Sequence, residues 1–148
     1  MSMVNIDSLY EDTFNITWNL VQGNVTDPAS RGSDKWIFAA FPDTKSGGFI
    51  GYPIIIINPI ESDLHAINFS KNFWTHDVGF VVELYTSKGK QIDTVGDEII
   101  KTLRDGASTY RAAHLHNISI GSSGTNSYII EGKKVHYRGI WVSFDYAS

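Results

Sequence analysis

The sequence predicts an α+β fold: a single domain, residues 1–148, with a mainly antiparallel mixed sheet, one amphipathic helix packed on a face of it, and a further helix at the amino terminus. Three observations carry this. The run Tyr52-Pro53-Ile54-Ile55-Ile56-Ile57-Asn58-Pro59 is apolar, too short to span a membrane and closed by proline at both ends, so it reads as a strand buried on both faces. Asp77 to Tyr85 places Val78, Phe80, Val82 and Leu84 on one face at period two, with Glu83 on the other. From Gln91 to Leu103, Ile92, Val95, Ile99, Ile100 and Leu103 recur three and four apart, the spacing of one helix face.

The remaining elements follow in chain order. Asp7 to about Gly23 reads as a helix, with Asp7 or Ser8 as N-cap and an imperfect stripe of Leu9, Tyr10, Phe14, Ile16, Trp18, Leu20 and Val21. Asn24 to Lys35 is rich in Asp, Ser, Gly and Pro and reads as a loop; Trp36 to Phe41 is a short strand ended by Pro42. Asp43 to Gly48 is too polar and glycine-rich for a regular element. Asn58 to Trp74 is then a connection of about seventeen residues, longer than the usual few between paired strands. Ser87 is the expected N-cap of the amphipathic helix and Gly106 its terminator, with Lys101 and Arg104 suited to the negative end of the helix dipole. After a loop to about Ala113, three strands close the chain: His116 to Gly121, Thr125 to Glu131, and Lys133 to Tyr146, the last two joined by a tight turn at Gly132. In the last of them His136, Arg138, Ile140, Val142 and Phe144 face one way, and Val135, Tyr137, Trp141 and Ser143 the other.

Composition narrows the function classes. There is no cysteine, which excludes disulfides, thiolate metal ligands and a cysteine nucleophile. Net charge is −4 and the Lys and Arg residues are scattered, which argues against a surface that tracks phosphates; specific nucleic-acid binding is not expected. The first residues, Met1 to Asp7, lack both a basic leader and an apolar segment, so no membrane association is expected and the chain is expected to stay where it is made. The four Asn-X-Ser/Thr sequons, at Asn15, Asn24, Asn68 and Asn117, would matter only in a secretory route.

Motifs for catalysis are absent. His114 and His116 would share a face of a strand, and His136 on a neighbouring strand is the one further ligand that could complete a zinc set; surface histidines on an edge are far commoner than ligands. His65 and His76 lack a carboxylate pattern that would make an acid–base pair. Gly47-Gly48 and Gly121-Ser122-Ser123-Gly124 are not placed at a strand-to-helix turn and read as flexible loop tips rather than phosphate cradles. Ser119 and Ser122 lie near histidines without a nucleophile elbow. No enzyme activity and no cofactor are expected. Aromatic residues make up 13% of the chain, and Phe69, Phe73, Trp74 and Tyr110 fall in segments read as loops, a distribution that favours a protein interface.

In its order of elements the chain resembles the tail terminator, or tail completion, proteins of long-tailed bacterial and archaeal viruses. The resemblance lies in an amino-terminal helix before a short strand ending in proline, Trp36 to Pro42, and in the buried strand introduced by Tyr52-Pro53. It continues in Phe80-Val81-Val82-Glu83-Leu84-Tyr85-Thr86-Ser87 running into the helix Asp93 to Leu103, and in the closing Tyr137-Arg138-Gly139-Ile140-Trp141-Val142-Ser143-Phe144. It covers about three quarters of the chain and implies a virion protein, assembled in the host cytoplasm, that forms a hexameric ring. Such a ring caps the tail tube, stops its polymerisation and joins it to the neck, so its implied partners are its own copies, the tail tube protein and a neck or head-completion protein, with DNA passing through the lumen. The alternatives are another neck component, such as the stopper between portal and tail, or a small ligand-binding domain or enzyme.

Interface residues are expected in the two long connections: Leu64, Ile67, Phe69, Phe73 and Trp74 in the first place, and Asp43, Lys45, Phe49 and Ile50 of the glycine-rich tip in the second.

Overall fold

A computed structural model of the chain describes residues 9–32, 35–43, 51–58, 61–66 and 74–147, with the backbone alone at 9–10, 61–66, 74–77 and 147. The chain runs α1 (Leu9–Asn24), β1 (Ile37–Phe38), β2 (Ile54–Ile57), β3 (Glu61–Ala66), β4 (Trp74–Thr86), α2 (Gly89–Asp105), α3 (Ala107–Ala112), β5 (Leu115–Ser122), β6 (Asn126–Ile130) and β7 (Lys133–Ala147). The predicted α+β class holds, with a seven-stranded mixed sheet in which β1 and β2 form the parallel pair and the other pairings are antiparallel.

β4 and β7 are the spine of this sheet, paired from Thr75↔Ala147 to Thr86↔His136. Each borders two shorter strands in succession: β4 pairs β3 over its first half and β2 over its second, while β7 pairs β6 at its start and β5 towards its end. Side-chain alternation then sorts the spine into two faces. Val78, Phe80, Val82 and Leu84 of β4 and Ile140, Val142, Phe144 and Tyr146 of β7 point to the helices and are buried. Ile55 and Ile57 of β2 join them, whereas Ile54 and Ile56 lie on the opposite face beside Tyr85 and Glu83 and are equally buried. The strand read as dry on both sides is therefore dry on both sides.

α2 covers the first face with Ile92, Val95, Ile99 and Leu103, all buried. It begins at Gly89 with Lys88 as N-cap rather than at Ser87, and no side chain caps it; Thr86 Oγ instead donates to the Lys88 carbonyl at 2.9 Å and fixes the entry. Gly106 ends α2 as expected, but the segment to Ala113 read as a loop is the short helix α3. Its cause is tertiary. Tyr110, expected among loop rings free for an interface, is fully buried, its ring 4.4 Å from that of Phe144. Thr17 of α1 donates to the Thr13 carbonyl at 2.9 Å, so the 2.7 Å bond between Thr17 Oγ and Tyr110 Oη has the phenol as donor. The buried line of α1 is thus Thr13, Thr17 and Val21, which explains why its apolar stripe looked imperfect.

The loop after α1 is held by a pair the sequence reading did not single out. Asp27 accepts from the backbone of Ala29 and Arg31 and from the Arg31 guanidinium, Nε to Oδ2 at 2.7 Å. The same guanidinium donates to the carbonyls of Gly51 and Pro53, at 2.8 and 2.5 Å, and so ties this loop to the entry of β2. Burial works against the Asp27 carboxylate, but its bonds from Arg31 and Ala29 outweigh that and hold its pKa below the usual value.

Other expectations are corrected in extent. The strand predicted from Trp36 to Phe41 is only Ile37–Phe38, since Trp36 lies in a turn and Ala39 and Ala40 bend away. The long connection from Asn58 to Trp74 is interrupted by β3, which forms a ladder with a β4 that starts at Trp74 rather than Asp77. Gly121-Ser122-Ser123-Gly124 is not a free tip. Gly121 and Ser122 end β5, Ser123 Oγ accepts from the Gly139 amide at 2.9 Å, and Ser122 Oγ accepts from Arg138 Nε at 2.7 Å. The turn at Gly132 is as predicted, with Glu131 and Gly132 both at positive φ, the geometry of a two-residue hairpin loop.

Candidate functional site

On the face of the sheet turned away from the helices, the alternation that buries Leu84 and Ile140 places Val81, Glu83 and Tyr85 of β4 and Tyr137, Gly139 and Trp141 of β7, of which Trp141 is exposed, Gly139 buried and the rest half-buried. Register sets them side by side: Tyr85 opposite Tyr137, Glu83 opposite Gly139, Val81 opposite Trp141. β6 adds Tyr128, whose partner Val135 lies on the same face two residues before Tyr137. Phe41, just beyond β1, sets its ring edge-on against Tyr85 with centroids 5.1 Å apart.

Two concavities result. One, of about 520 Å³, is lined by Phe41, Tyr85, Tyr128, Tyr137 and Glu83 together with Ile129 and Ile130. The other, of about 560 Å³, lies further along the same two strands beneath Trp141, against Gly79, Val81 and Asn58. In the first, consecutive rings are inclined rather than stacked, at 88° for Phe41 and Tyr85, 54° for Tyr85 and Tyr137, and 72° for Tyr128 and Tyr137. Glu83 sits among them and accepts a hydrogen bond from Tyr137 Oη at 3.1 Å.

Glycine makes this approach possible. Tyr137 folds along its own strand across Gly139, where an added Cβ would stand 2.8 Å from the phenol oxygen. Trp141 lies in the same manner over Gly121 of the neighbouring strand, its indole occupying the space a side chain there would take.

The electrostatics of the pocket are those of an anion among rings. Burial, and after it the charge of Glu83, pushes the Tyr85 phenol up to about 12. Tyr137 is pushed up as well, by burial first and then by the charge of Glu83 and the hydrogen bond to it. Both phenols are therefore neutral at physiological pH and act as hydrogen-bond donors and ring surfaces. Among the described residues no cation pairs with Glu83.

The surface exposes large apolar side chains on and beside this face: Trp141 is 48% exposed, Tyr128 49%, Phe41 39%, and Ile129, on the same hairpin, 71%. Of the expected interface residues, three lie within the described part of the chain. Leu64 and Trp74 belong to the β3–β4 ladder, opposite His76 and Ala66 respectively, and Asp43 is exposed at the end of the segment that carries Phe41. Lys45, Phe49, Ile50, Ile67, Phe69 and Phe73 lie outside the described residues. Sequence reasoning thus missed Phe41, Glu83, Tyr85, Tyr128 and Tyr137 as a group. The signal was present in the alternation: opposite the buried positions, β4 carries Glu83 and Tyr85 and β7 carries Tyr137 and Trp141.

The three histidines weighed as a metal set do not converge. His114 precedes β5 in a turn at positive φ, His116 pairs Asp145, and His136 lies nine residues away along β7, roughly 30 Å at the strand rise, where it faces Ser127 and Thr86. His136 Nδ1 instead shares a 3.1 Å hydrogen bond with Ser127. Among the described residues no group of three His, Cys, Asp or Glu side chains is placed to hold a metal ion, and no described helix is long and apolar enough to cross a membrane. The chain matches no protein-family model and no curated protein.

Proposed function

We propose that this chain is a ring-forming structural subunit of the tail terminator type, which closes a tail tube and joins it to the neck of a virion, and that its role is mechanical rather than catalytic. The observation that carries the reading is the exposed aromatic face: helices cover one side of the sheet and leave Trp141, Tyr128 and Phe41 on the other, an apolar surface of the kind that marks association between proteins. The order of elements, a helix and short strands before a long alternating strand, an amphipathic helix and closing strands, is the order for which the resemblance was noted. The two connections expected to make contacts, Asp43 to Ile50 and Asn58 to Trp74, remain part of this reading as the segments that reach the neighbouring ring or tube.

Sedimentation velocity of the purified chain, alone and with tail tube protein, tests the proposal. The expected species contains six copies of the 16.5 kDa chain, and replacing Trp141 and Tyr128 together by Ser is expected to lower its assembly while leaving the circular dichroism of the subunit unchanged. A monomer at every concentration, with and without tube protein, would overturn it.

A second reading has an observation of its own. The two concavities, at about 520 and 560 Å³, fall in the size range of small-ligand sites. A monomer that binds an organic ligand at this face would favour that reading over the ring.

A further inference from the structure

The pocket around Glu83 combines three features seldom found together by accident. Four rings, Phe41, Tyr85, Tyr137 and Tyr128, follow one another at centroid separations of 5.1, 5.1 and 5.8 Å, each inclined to the next, so that they form the wall of a box rather than a stack. The inclined rings line one concave space beside a carboxylate, and a cation entering it that meets a ring face is attracted there. A carboxylate, Glu83, stands at the same space without a cationic partner among the described residues. The Tyr137 bond holds it there, and that bond exists only because residue 139 has no side chain.

We propose that this pocket is a recognition site for a single arginine or lysine side chain carried by a segment of another protein, the cationic head seated between the Tyr rings and paired with Glu83. The occupant follows from charge complementarity and from the shape of the pocket. The rims, Tyr128 and Phe41, are exposed, so the box is open to a side chain delivered from a protein surface rather than closed round a free small molecule. A cation at this point would also pair with the Glu83 charge, which after burial contributes to raising both phenols. The apolar residues of the same face, above all Trp141, then have a partner surface to pack against once the charge is in place. The proposal goes beyond the ring reading and stands whether the partner is a tail component or any other protein with a basic segment.

The test uses the full chain and three probes: a blocked tripeptide with central arginine, the same peptide with citrulline, its uncharged isostere, and tetramethylammonium chloride. Binding is followed by amide shifts in the nuclear magnetic resonance spectrum. The arginine peptide is expected to shift the amides of Tyr128, Tyr137 and Gly139 saturably, more weakly as salt rises. Citrulline is expected to bind roughly tenfold less tightly or worse, the order set by cation–π attraction and ion pairing together. Glu83→Gln is expected to lose the preference for arginine. Because Glu83 is half-buried, Tyr128→Ala serves as a second variant at an exposed position, and it is expected to weaken the arginine peptide with the rest of the spectrum unchanged. Equal binding of the citrulline peptide, or full arginine preference in Glu83→Gln, would overturn the proposal. So would saturation by tetramethylammonium without any response to the peptide, which would make this a small-cation site. Self-association lost in Glu83→Gln with no peptide binding would place a second copy of the chain in the pocket and would equally overturn it.

Discussion

The helix-covered face of the sheet is closed and redundant, mostly aliphatic with Phe80, Phe144 and Tyr146 among its buried side chains, whereas the opposite face is aromatic, partly wet and dependent on single residues. On the first, Val82, Leu84, Ile140 and Val142 meet Ile92, Val95 and Ile99, and each apolar side chain could give way to another of similar volume with modest loss. On the second, Tyr137 reaches Glu83 across Gly139, and Trp141 lies over Gly121. The two faces belong to the same strands, residue by residue, so the difference cannot come from strand propensity. It follows what covers each face: one meets helices of the same chain, while on the other Trp141, Tyr128 and the adjoining Phe41 stay exposed among the described residues.

The comparison breaks most sharply at Ile99. It is fully buried on the sheet-facing side of α2, so Ile99→Asp places an unpaired charge in the core and is expected to cost several kcal/mol, about 4 or more, in urea denaturation. Tyr128→Ser, on the other face, is expected to stay within about 1 kcal/mol of the parent because half of the ring is already in water. If the two variants lost similar stability, the second face would be core and not a surface held in reserve.

Arg31 sharpens the comparison by showing a polar device that serves the fold alone. Arg31→Met leaves Asp27 buried and the Gly51 and Pro53 carbonyls without their donor, with an expected loss of about 3 kcal/mol. The pH dependence has a definite sign. The folded pKa of Asp27 lies below its unfolded value of 3.8, so its contribution is present above that value and is lost as pH falls below 3.8 towards the folded pKa. The acid limb of a stability–pH curve is therefore expected to be shallower in Arg31→Met than in the parent.

A small stability effect, and the most specific structural one, is expected at Gly139. Gly139→Ala puts a methyl group against the Tyr137 hydroxyl, so the ring must swing away and the bond to Glu83 is lost, at a cost of about 1 kcal/mol. Tyrosine titration reads the intact site directly. Tyr85 ionises at about 12 in the folded chain against 10.0 unfolded, so its contribution to stability is complete below pH 10 and disappears as pH rises towards 12. Glu83→Gln removes one of the charges that raise it, and ultraviolet titration is expected to show ionisation at lower pH; an unchanged curve would mean that burial alone accounts for the shift.

Much of the fold was legible because its main elements are locally periodic. The Ile54–Ile57 strand, the alternation of β4 and the stripe of α2 each state their geometry within a dozen residues. The elements that escaped are those whose cause lies elsewhere in the chain. Glu61–Ala66, with Glu, Ser, Asp and His among its six residues, has no strand pattern of its own and exists as the partner of an extended β4. Ala107–Ala112 is too short to show a helical period and is set by the burial of Tyr110. The pocket escaped for the same reason: Tyr85, Tyr128 and Tyr137 converge through strand register, which no local pattern specifies.

The bond between Thr17 and Tyr110 spans 93 positions of sequence, and α1 rests on α2 and α3 rather than on anything near it in the chain. During synthesis, therefore, the first helix emerges long before the surface it must cover. At ordinary elongation rates the interval between residue 17 and residue 110 is roughly five to twenty seconds. Until α2 has been made, the Phe14 and Trp18 rings, 5.6 Å apart on α1, lack the core against which they pack in the folded chain. The nascent chain thus passes through a period in which an aromatic helix is exposed and the sheet has not closed, and a chaperone that holds amphipathic segments would act on this protein at that stage, before any copy has a face to offer to another.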